Sequence, residues 1–361
     1  MPLRALNQSG ESIQAFDLSP VEWAMLKATT KAARLVMPCC GADAILKTSR
    51  RGTQFFAHRK QGDCTSAPES EQHLRLKALV VKLIRKHGWT AATEVAGETP
   101  SGKRWVADVL ATKGTRRVAV EVQWASQTVE KSLYRQQRYL ESDVRGLWLM
   151  HQANFPISKA FPAVCVDELV DGTFLALLAH DQSTRYGQRR RSRREDWEEQ
   201  LPIEQVIEAA FTKRFWYGLL RPGAEVNVEV FGGRDQCWRC GRWTGVVSYF
   251  QLVPRSDNAR PCIVSLEELA GQEDLLLELL YRHPAAVQIG PIRVRYSAKA
   301  KASYLANGCL HCDALQGRFF VHKHEQKQTF FRHKIVPSRR LLDLVNTHRM
   351  CRWHVAGEAD G

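Results

Sequence analysis

Apolar residues recur at helical spacing between residues 68 and 87, where Leu76, Val80, Leu83 and Ile84 form one stripe. Pro68-Glu69-Ser70-Glu71 opens this predicted helix and Gly88 closes it. Glu69, His73 and Lys77 lie four apart, so a helix through all three places them on one side. The period then changes to two. Trp89–Val95, Trp105–Thr112 and Arg117–Trp124 read as strands, with turns near Gly97, at Gly102-Lys103 and at Gly114. In the third strand Val118, Val120 and Val122 alternate with Ala119, Glu121 and Gln123, which sends the valines to one face and the Glu–Gln pair to the other. A helix over 127–142, carrying Arg135, Arg138 and Tyr139, and a strand over 145–150 complete the run.

Around it the chain divides into four segments. Residues 1–66 form a small strand-rich unit with turns at Gly41, Gly52 and Gly62. Residues 67–180 hold this helix-and-strand core, 181–225 a basic linker and helix, and 226–361 a domain with two paired-cysteine knuckles around a helical insert at Leu266–Tyr281. A further basic amphipathic helix is expected from Ser338, with Arg339, Arg340, Arg349 and Arg352.

The formal charge is +14, from 52 basic against 38 acidic residues. Such an excess favours polyanions, because each cation set on a phosphate releases a condensed counterion. Charge alone does not separate nucleic acid from an acidic protein or a lipid surface. Arg185, Arg189, Arg190, Arg191, Arg193 and Arg194 fall together beside Tyr186 and Trp197, as a phosphate-tracking segment or a solvated linker would. No apolar run approaches the roughly 20 residues of a membrane span. Met1–Leu18 carries Glu11 and Asp17 and has no apolar signal core, so a cytoplasmic location without membrane contact is expected.

Two acids interrupt apolar strands. Asp108 stands among Val106, Ala107, Val109 and Leu110, and Glu121 among Val118, Ala119, Val120 and Val122. A charge left in such a run is costly unless something pairs with it. Two of them on strands joined by one tight turn point to one shared hard cation, Mg²⁺ or Mn²⁺, of the kind that activates water for phosphodiester hydrolysis.

These stretches resemble the CoiA-like competence-protein nucleases. The resemblance is carried by Glu69-Ser70-Glu71-Gln72-His73-Leu74-Arg75-Leu76-Lys77, by Trp105-Val106-Ala107-Asp108-Val109, and by Val120-Glu121-Val122-Gln123. Ser126 and Arg135-Gln136-Gln137-Arg138-Tyr139 follow, and Phe55-Phe56-Ala57-His58 upstream is similar to the family's cysteine–histidine preamble. It covers roughly residues 35–150, under half of the chain. The resemblance implies an α/β, restriction-endonuclease-like fold of the PD-(D/E)xK type: a mixed sheet with flanking helices. It implies metal ligation by Asp108 and Glu121, with Glu69 joining directly or through water. Gln123 stands where many relatives of the wider fold have lysine, although the CoiA-like group is similar in using glutamine. Glutamine carries no positive charge to steady an attacking hydroxide, so Lys77, or else His73, is expected to supply it. Arg135, Arg138 and Tyr139, with Arg189, Arg190 and Arg191, are the expected DNA contacts.

The ten cysteines suggest metal rather than cross-links. Cys237-Trp238-Arg239-Cys240 and Cys309-Leu310-His311-Cys312 each aim two thiolates at one point, and together they complete a tetrahedral Zn²⁺ site. Their separation of 68 residues exceeds the usual fifteen to twenty or so of a zinc ribbon, hence the expected insert. Cys40, His58 and Cys64, with a further ligand, form a second candidate, since the adjacent Cys39 and Cys40 chelate one ion awkwardly. His311, His322, His324 and His333 are read as surface residues. The sequence thus reads as a metal-dependent nuclease acting on DNA, with a zinc-ribbon tail that grips substrate or a protein partner. The alternative is a non-catalytic DNA-binding or recombination-mediating protein that retains the fold.

Overall fold

The structure is a computed structural model in which residues 2–60, 62, 64, 69–153, 155–156, 158–178, 199–254, 261–317, 328–347 and 351–356 are described. Arg189, Arg190 and Arg191, with His322 and His324, lie outside the described residues. The chain forms two units, residues 1–218 with 350–361, and residues 219–349.

The first unit opens with a hairpin of β1 (Arg4–Leu6) and β2 (Ser12–Gln14). Helix α1 (Pro20–Ala33) follows, within the segment expected to be strand-rich. Its signal is Ser19-Pro20-Val21-Glu22: the Ser19 hydroxyl accepts from the Glu22 amide, the Glu22 carboxylate accepts from the Ser19 amide, and proline takes the first helical position. Strands β3 (Ala44–Thr48) and β4 (Gln54–His58) make a second hairpin. Leu3, Trp23, Leu35, Met37 and Phe56 bury together, and Leu74 of α2 (Glu71–Lys86) joins them. The cysteine–histidine segment is therefore fastened to the core helix rather than standing apart.

Helix α2 starts at Glu71 because Ser70 caps it, accepting from the His73 amide at 3.2 Å. Glu69 consequently precedes the helix instead of sharing its face with His73 and Lys77. Seven strands then form one mixed sheet: β5 (Thr90–Glu98), β6 (Arg104–Lys113), β7 (Arg116–Gln123), β8 (Arg145–Met150), β9 (Ala163–Glu168), β10 (Phe174–Leu178) and β11 (Glu199–Pro202), in the spatial order β11-β10-β9-β8-β7-β6-β5. Helix α3 (Val129–Glu141) carries the chain from β7 to the parallel strand β8. Leu76, Val80, Leu83 and Ile84 pack on Val109, Val120, Val122, Leu147 and Leu149, and α4 (Ile203–Phe211) adds Ile203, Val206 and Ile207 to the same face. The opposite face packs Ala107, Ala119, Trp148 and Met150 with Tyr139 of α3. The region from 199, expected as part of a basic linker and helix, thus contributes an edge strand and a covering helix to the sheet.

The sheet has two irregularities, both beside the acids of β5–β7. Between Thr93↔Val109 and Val95↔Ala107 the β5–β6 pairing skips Glu94, whose φ of 48° is left-handed. A non-glycine residue in that region costs about 1–3 kcal/mol and needs surroundings that hold it there. The β6–β7 register also stops at Val109↔Val120, so Asp108 and Glu121, next in line, are free of ladder bonds to each other.

The second unit holds β13 (Val226–Gln236), β14 (Trp243–Pro254), β15 (Cys262–Ser265), the hairpin β16 (Ile292–Ser297) and β17 (Ala302–Asn307), β18 (Gln328–Ile335) and α5 (Arg339–Thr347). The main sheet runs β15-β14-β13-β18. The expected helix over 266–281 contracts to one turn, Leu277–Tyr281, after Gly271 takes φ 78° and interrupts it. The helix expected from Ser338 ends at Thr347, and Arg352 lies instead in β19 (Arg352–Val355), which pairs with β12 (Phe215–Gly218) inside the first unit. Among the described residues no helix is long and apolar enough to cross a membrane.

Candidate metal centre

Helix α2, the residues before it, and β6 bring Glu69, His73 and Asp108 together, with one ligand atom from each lying within 4.8 Å of the others. His73 Nε2 stands 3.5 Å from Asp108 Oδ2 and 3.8 Å from Glu69 Oε1. That nitrogen is shielded from solvent and makes no hydrogen bond, an orphaned donor atom between two carboxylates. Adjacent ligands of an octahedral Mg²⁺ or Mn²⁺ stand about 3 Å apart and opposite ones about 4 Å, so small side-chain adjustments bring this set into range. Burial alone would raise the Asp108 pKa, but the imidazole of His73, with Lys77 and Arg135, holds it well below the ordinary carboxylate range. Asp108 is an anion at any working pH.

Lys77 lies at the bottom of this group with its side chain fully buried. Its Nζ donates to both Glu69 oxygens, at 2.8 and 2.9 Å, and to Glu94. Burial works against the ammonium, yet Glu94, Glu69 and Asp108 together raise its pKa. Lys77 therefore stays charged and fixes Glu69 in place. Glu94 went unnoticed in the sequence because nothing in its strand pattern announces the left-handed backbone that turns it inward.

Glu121 occupies a separate, adjoining niche. Its side chain is 1% exposed; Oε1 accepts from the Tyr139 hydroxyl and, at 3.4 Å, from the Asp108 amide, while Oε2 faces Arg135 at 2.9 Å. In return Asp108 Oδ2 accepts from the Val122 amide at 2.9 Å. These side-chain-to-backbone bonds replace the missing ladder bonds between β6 and β7. Burial pushes the Glu121 carboxyl up to about 8, opposed by Arg135 and reinforced by the charge of Asp108. Among the described residues, the group that could hold one ion here is Glu69, His73 and Asp108, whereas the sequence paired Asp108 with Glu121. Gln123 directs its amide nitrogen to the Ala125 carbonyl at 2.8 Å.

The expected DNA contacts on α3 separate into two kinds. Tyr139 is completely buried and offers nothing to a nucleic acid; its hydroxyl instead positions Glu121. Arg135 and Arg138 line a cleft of about 390 Å³ with Arg104, Lys131 and Tyr134. Arg138 lies over the Tyr134 ring, 4.4 Å from its centroid, and donates to the Arg104 carbonyl. Four cations at the rim of one cleft suit a phosphate backbone.

Both cysteine groups assemble. Cys237, Cys240, Cys309 and Cys312 converge, with Sγ–Sγ distances of 3.6 Å (Cys237–Cys312) and 3.7 Å (Cys240–Cys309). Four sulfurs about 2.3 Å from one Zn²⁺ stand about 3.8 Å apart, and a disulfide would need about 2.05 Å. The amides of Arg239 and His311 and the side chain of Gln316 donate to these sulfurs, as they would to thiolates. In the first unit Cys39 joins Cys40, His58 and Cys64. His58 Nε2 is 3.2 Å from Cys40 Sγ and 3.6 Å from Cys39 Sγ, and Cys39 lies 3.6 Å from Cys64. Cys39 thus stands where the sequence left a further ligand open. The Gly41 amide donates to the Met37 carbonyl at 2.8 Å just as Gly241 donates to Cys237, so Met37 occupies the first position of a knuckle turn and the adjacent Cys39 supplies the missing thiol. His311 is exposed and His333 half-buried.

Residues 69–163 match the family described as competence protein CoiA, nuclease-like domain. No curated protein matches the chain.

Proposed function

With residues 69–163 assigned to the CoiA nuclease-like family, we propose that the first unit hydrolyses DNA phosphodiester bonds with a divalent ion, Mg²⁺ or Mn²⁺, held by Glu69, His73 and Asp108. The observation that carries this reading is the orphaned His73 Nε2 between two carboxylates. Once bound, the ion supplies a polarised phosphate and a nucleophilic water. The protein's own groups do the positioning. Lys77 orients Glu69, Glu121 anchors the Asp108 amide, and Tyr139 with Arg135 holds Glu121. Arg104, Lys131, Arg135 and Arg138 line the cleft that takes the phosphate backbone. The restriction-endonuclease-like sheet of the PD-(D/E)xK type is the frame this reading assigns to β5–β9. Both cysteine-rich groups hold structural Zn²⁺ in the same reading.

The test is cleavage of single- and double-stranded DNA by purified protein in Mg²⁺ and in Mn²⁺. Asp108→Ala and His73→Ala are expected to lose at least about a hundred-fold in rate, the scale on which a misplaced metal or nucleophile acts. Equal rates for wild type and Asp108→Ala would end the enzymatic reading.

One observation favours a second reading. Glu121, expected to be a ligand, is occupied by Arg135 and Tyr139, and the nearby cation Lys77 is buried against Glu69 and Glu94. A DNA-binding protein that keeps the fold without turnover would tolerate both. Salt-sensitive DNA binding without cleavage in either metal selects it.

A further inference from the structure

The tip of the β13–β14 hairpin carries Trp238-Arg239-Cys240-Gly241-Arg242-Trp243. Trp238 is 73% exposed and Trp243 61% exposed, high values for the side chain with the largest apolar surface. One ring is held in place, and so is the backbone that carries the other. Trp238 Nε1 donates to the Leu315 carbonyl at 2.8 Å, which pins one edge of the indole and leaves its faces to solvent. The Trp243 carbonyl lies 3.1 Å from His311 Nε2, and Leu310 donates to Thr244 at 2.9 Å, so the neighbouring backbone is tied to the second cysteine knuckle. Arg239 and Arg242 are exposed and form no ion pair among the described residues. Arg234, exposed on β13, reaches the neutral Gln288 and, among the described residues, forms no ion pair. Between positions 234 and 243 these three arginines stand against one acid, Asp235.

We propose that this hairpin tip is a stacking platform for single-stranded DNA, with bases on Trp238 and Trp243 and phosphates on Arg234, Arg239 and Arg242. An indole held at its edge, as that of Trp238 is, loses little conformational freedom when a base stacks on it, and Trp243 stands on a backbone tied to the second knuckle. Guanidiniums interleaved with the rings match a strand in which base and phosphate alternate, whereas an apolar protein partner would leave those charges buried and unpaired. Duplex DNA hides its base faces and cannot use the rings. The choice of DNA rests on the proposed nuclease activity; the stacking chemistry does not.

The experiment measures binding of a fluorescent oligo(dT) to the full chain carrying Asp108→Ala, so that cleavage does not interfere and the outcome is independent of the nuclease reading. Trp238→Ala and Trp243→Ala should each weaken binding about ten-fold, and the phenylalanine variants should recover most of it. Arg239→Ala and Arg242→Ala should each lower the salt slope by close to one ion, about 0.7. Duplex of the same length should bind more weakly and respond little to the tryptophan changes. Retained zinc content shows that a variant has kept its fold. The proposal is overturned if the zinc-replete alanine variants bind oligo(dT) like the parent, or lose duplex binding equally. Ten-fold tighter binding of oligo(U) would overturn the commitment to DNA.

Discussion

Lys77 shows how one buried side chain can serve stability and chemistry together. Its ammonium neutralises Glu69 and Glu94 where water does not reach. Removing one member of a buried ionic group leaves the others uncompensated, so Lys77→Ala should cost about 3 kcal/mol, read from the denaturant midpoint. A midpoint shift near zero would mean that the two glutamates find other partners. Glu94→Gln should cost less, because the glutamine still accepts from Lys77 and one burial penalty disappears with its charge. The residues of this centre were unevenly legible. Asp108 stood out as a charge in an apolar strand, and His73 by its helical spacing from Lys77. Glu94 did not, because its role comes from a backbone excursion that no local composition encodes. Glu121 stood out for the same reason as Asp108, but whether a buried acid meets a metal or an arginine depends on how α3 packs back on the sheet, which the local pattern does not fix. Trp238 and Trp243 were not legible as a surface feature, because a tryptophan beside a cysteine pair reads equally well as core.

Among the elements, the sheet strands were the most legible, since alternating burial over 104–113 leaves little freedom of register. Helix α1 was missed although Ser19 and Glu22 spell out a capping box. Strands β11, β12 and β19 were missed because short edge strands carry too few residues to show a period. Two elements give sharp expectations. Gly97 on β5 faces Trp105 on β6, and a Cβ at Gly97 would fall 2.1 Å from the Trp105 ring. Gly97→Ala should therefore destabilise by about 2 kcal/mol as an overpacked site, and shrinking Trp105 to leucine in the same chain should relieve part of that loss. Additive effects in thermal unfolding of the double variant would show that the contact is unimportant. The β12–β19 ribbon is acid-sensitive for a different reason. His354 stacks on Trp216 at 4.3 Å, and burial, helped by Arg352, lowers its pKa from the usual 6.5 to about 4. Between those values the unfolded segment binds more protons than the folded one. The stability that the neutral ring contributes is complete above pH 6.5 and is lost as pH falls toward 4. Protection factors at Phe215–Gly218, which correct for the intrinsic exchange rate at each pH, should fall across that window; protection factors that stay constant would contradict the assignment.

For the whole molecule, the expectation is two zinc ions per chain, one in each unit, countable by native mass spectrometry. Cys309→Ser should remove one ion and Cys39→Ser the other, each without affecting its counterpart. Loss of both from either change would show that the two sites are coupled. The strong basic excess was legible from composition, and so was the pairing of the two distant knuckles. The partition of the chain was not, because it depends on which short strand finds which partner.

The pairing of β19 with β12 makes the first unit discontinuous in sequence, with the whole second unit threaded between two neighbouring strands. During synthesis, β12 leaves the ribosome with an open edge and waits for more than a hundred further residues before its mate arrives. The inserted unit must reach its native state, or at least keep its ends close together, before that edge can close. A stalled or truncated chain ending within the insert would expose an unpaired strand, a natural target for aggregation or for a protease.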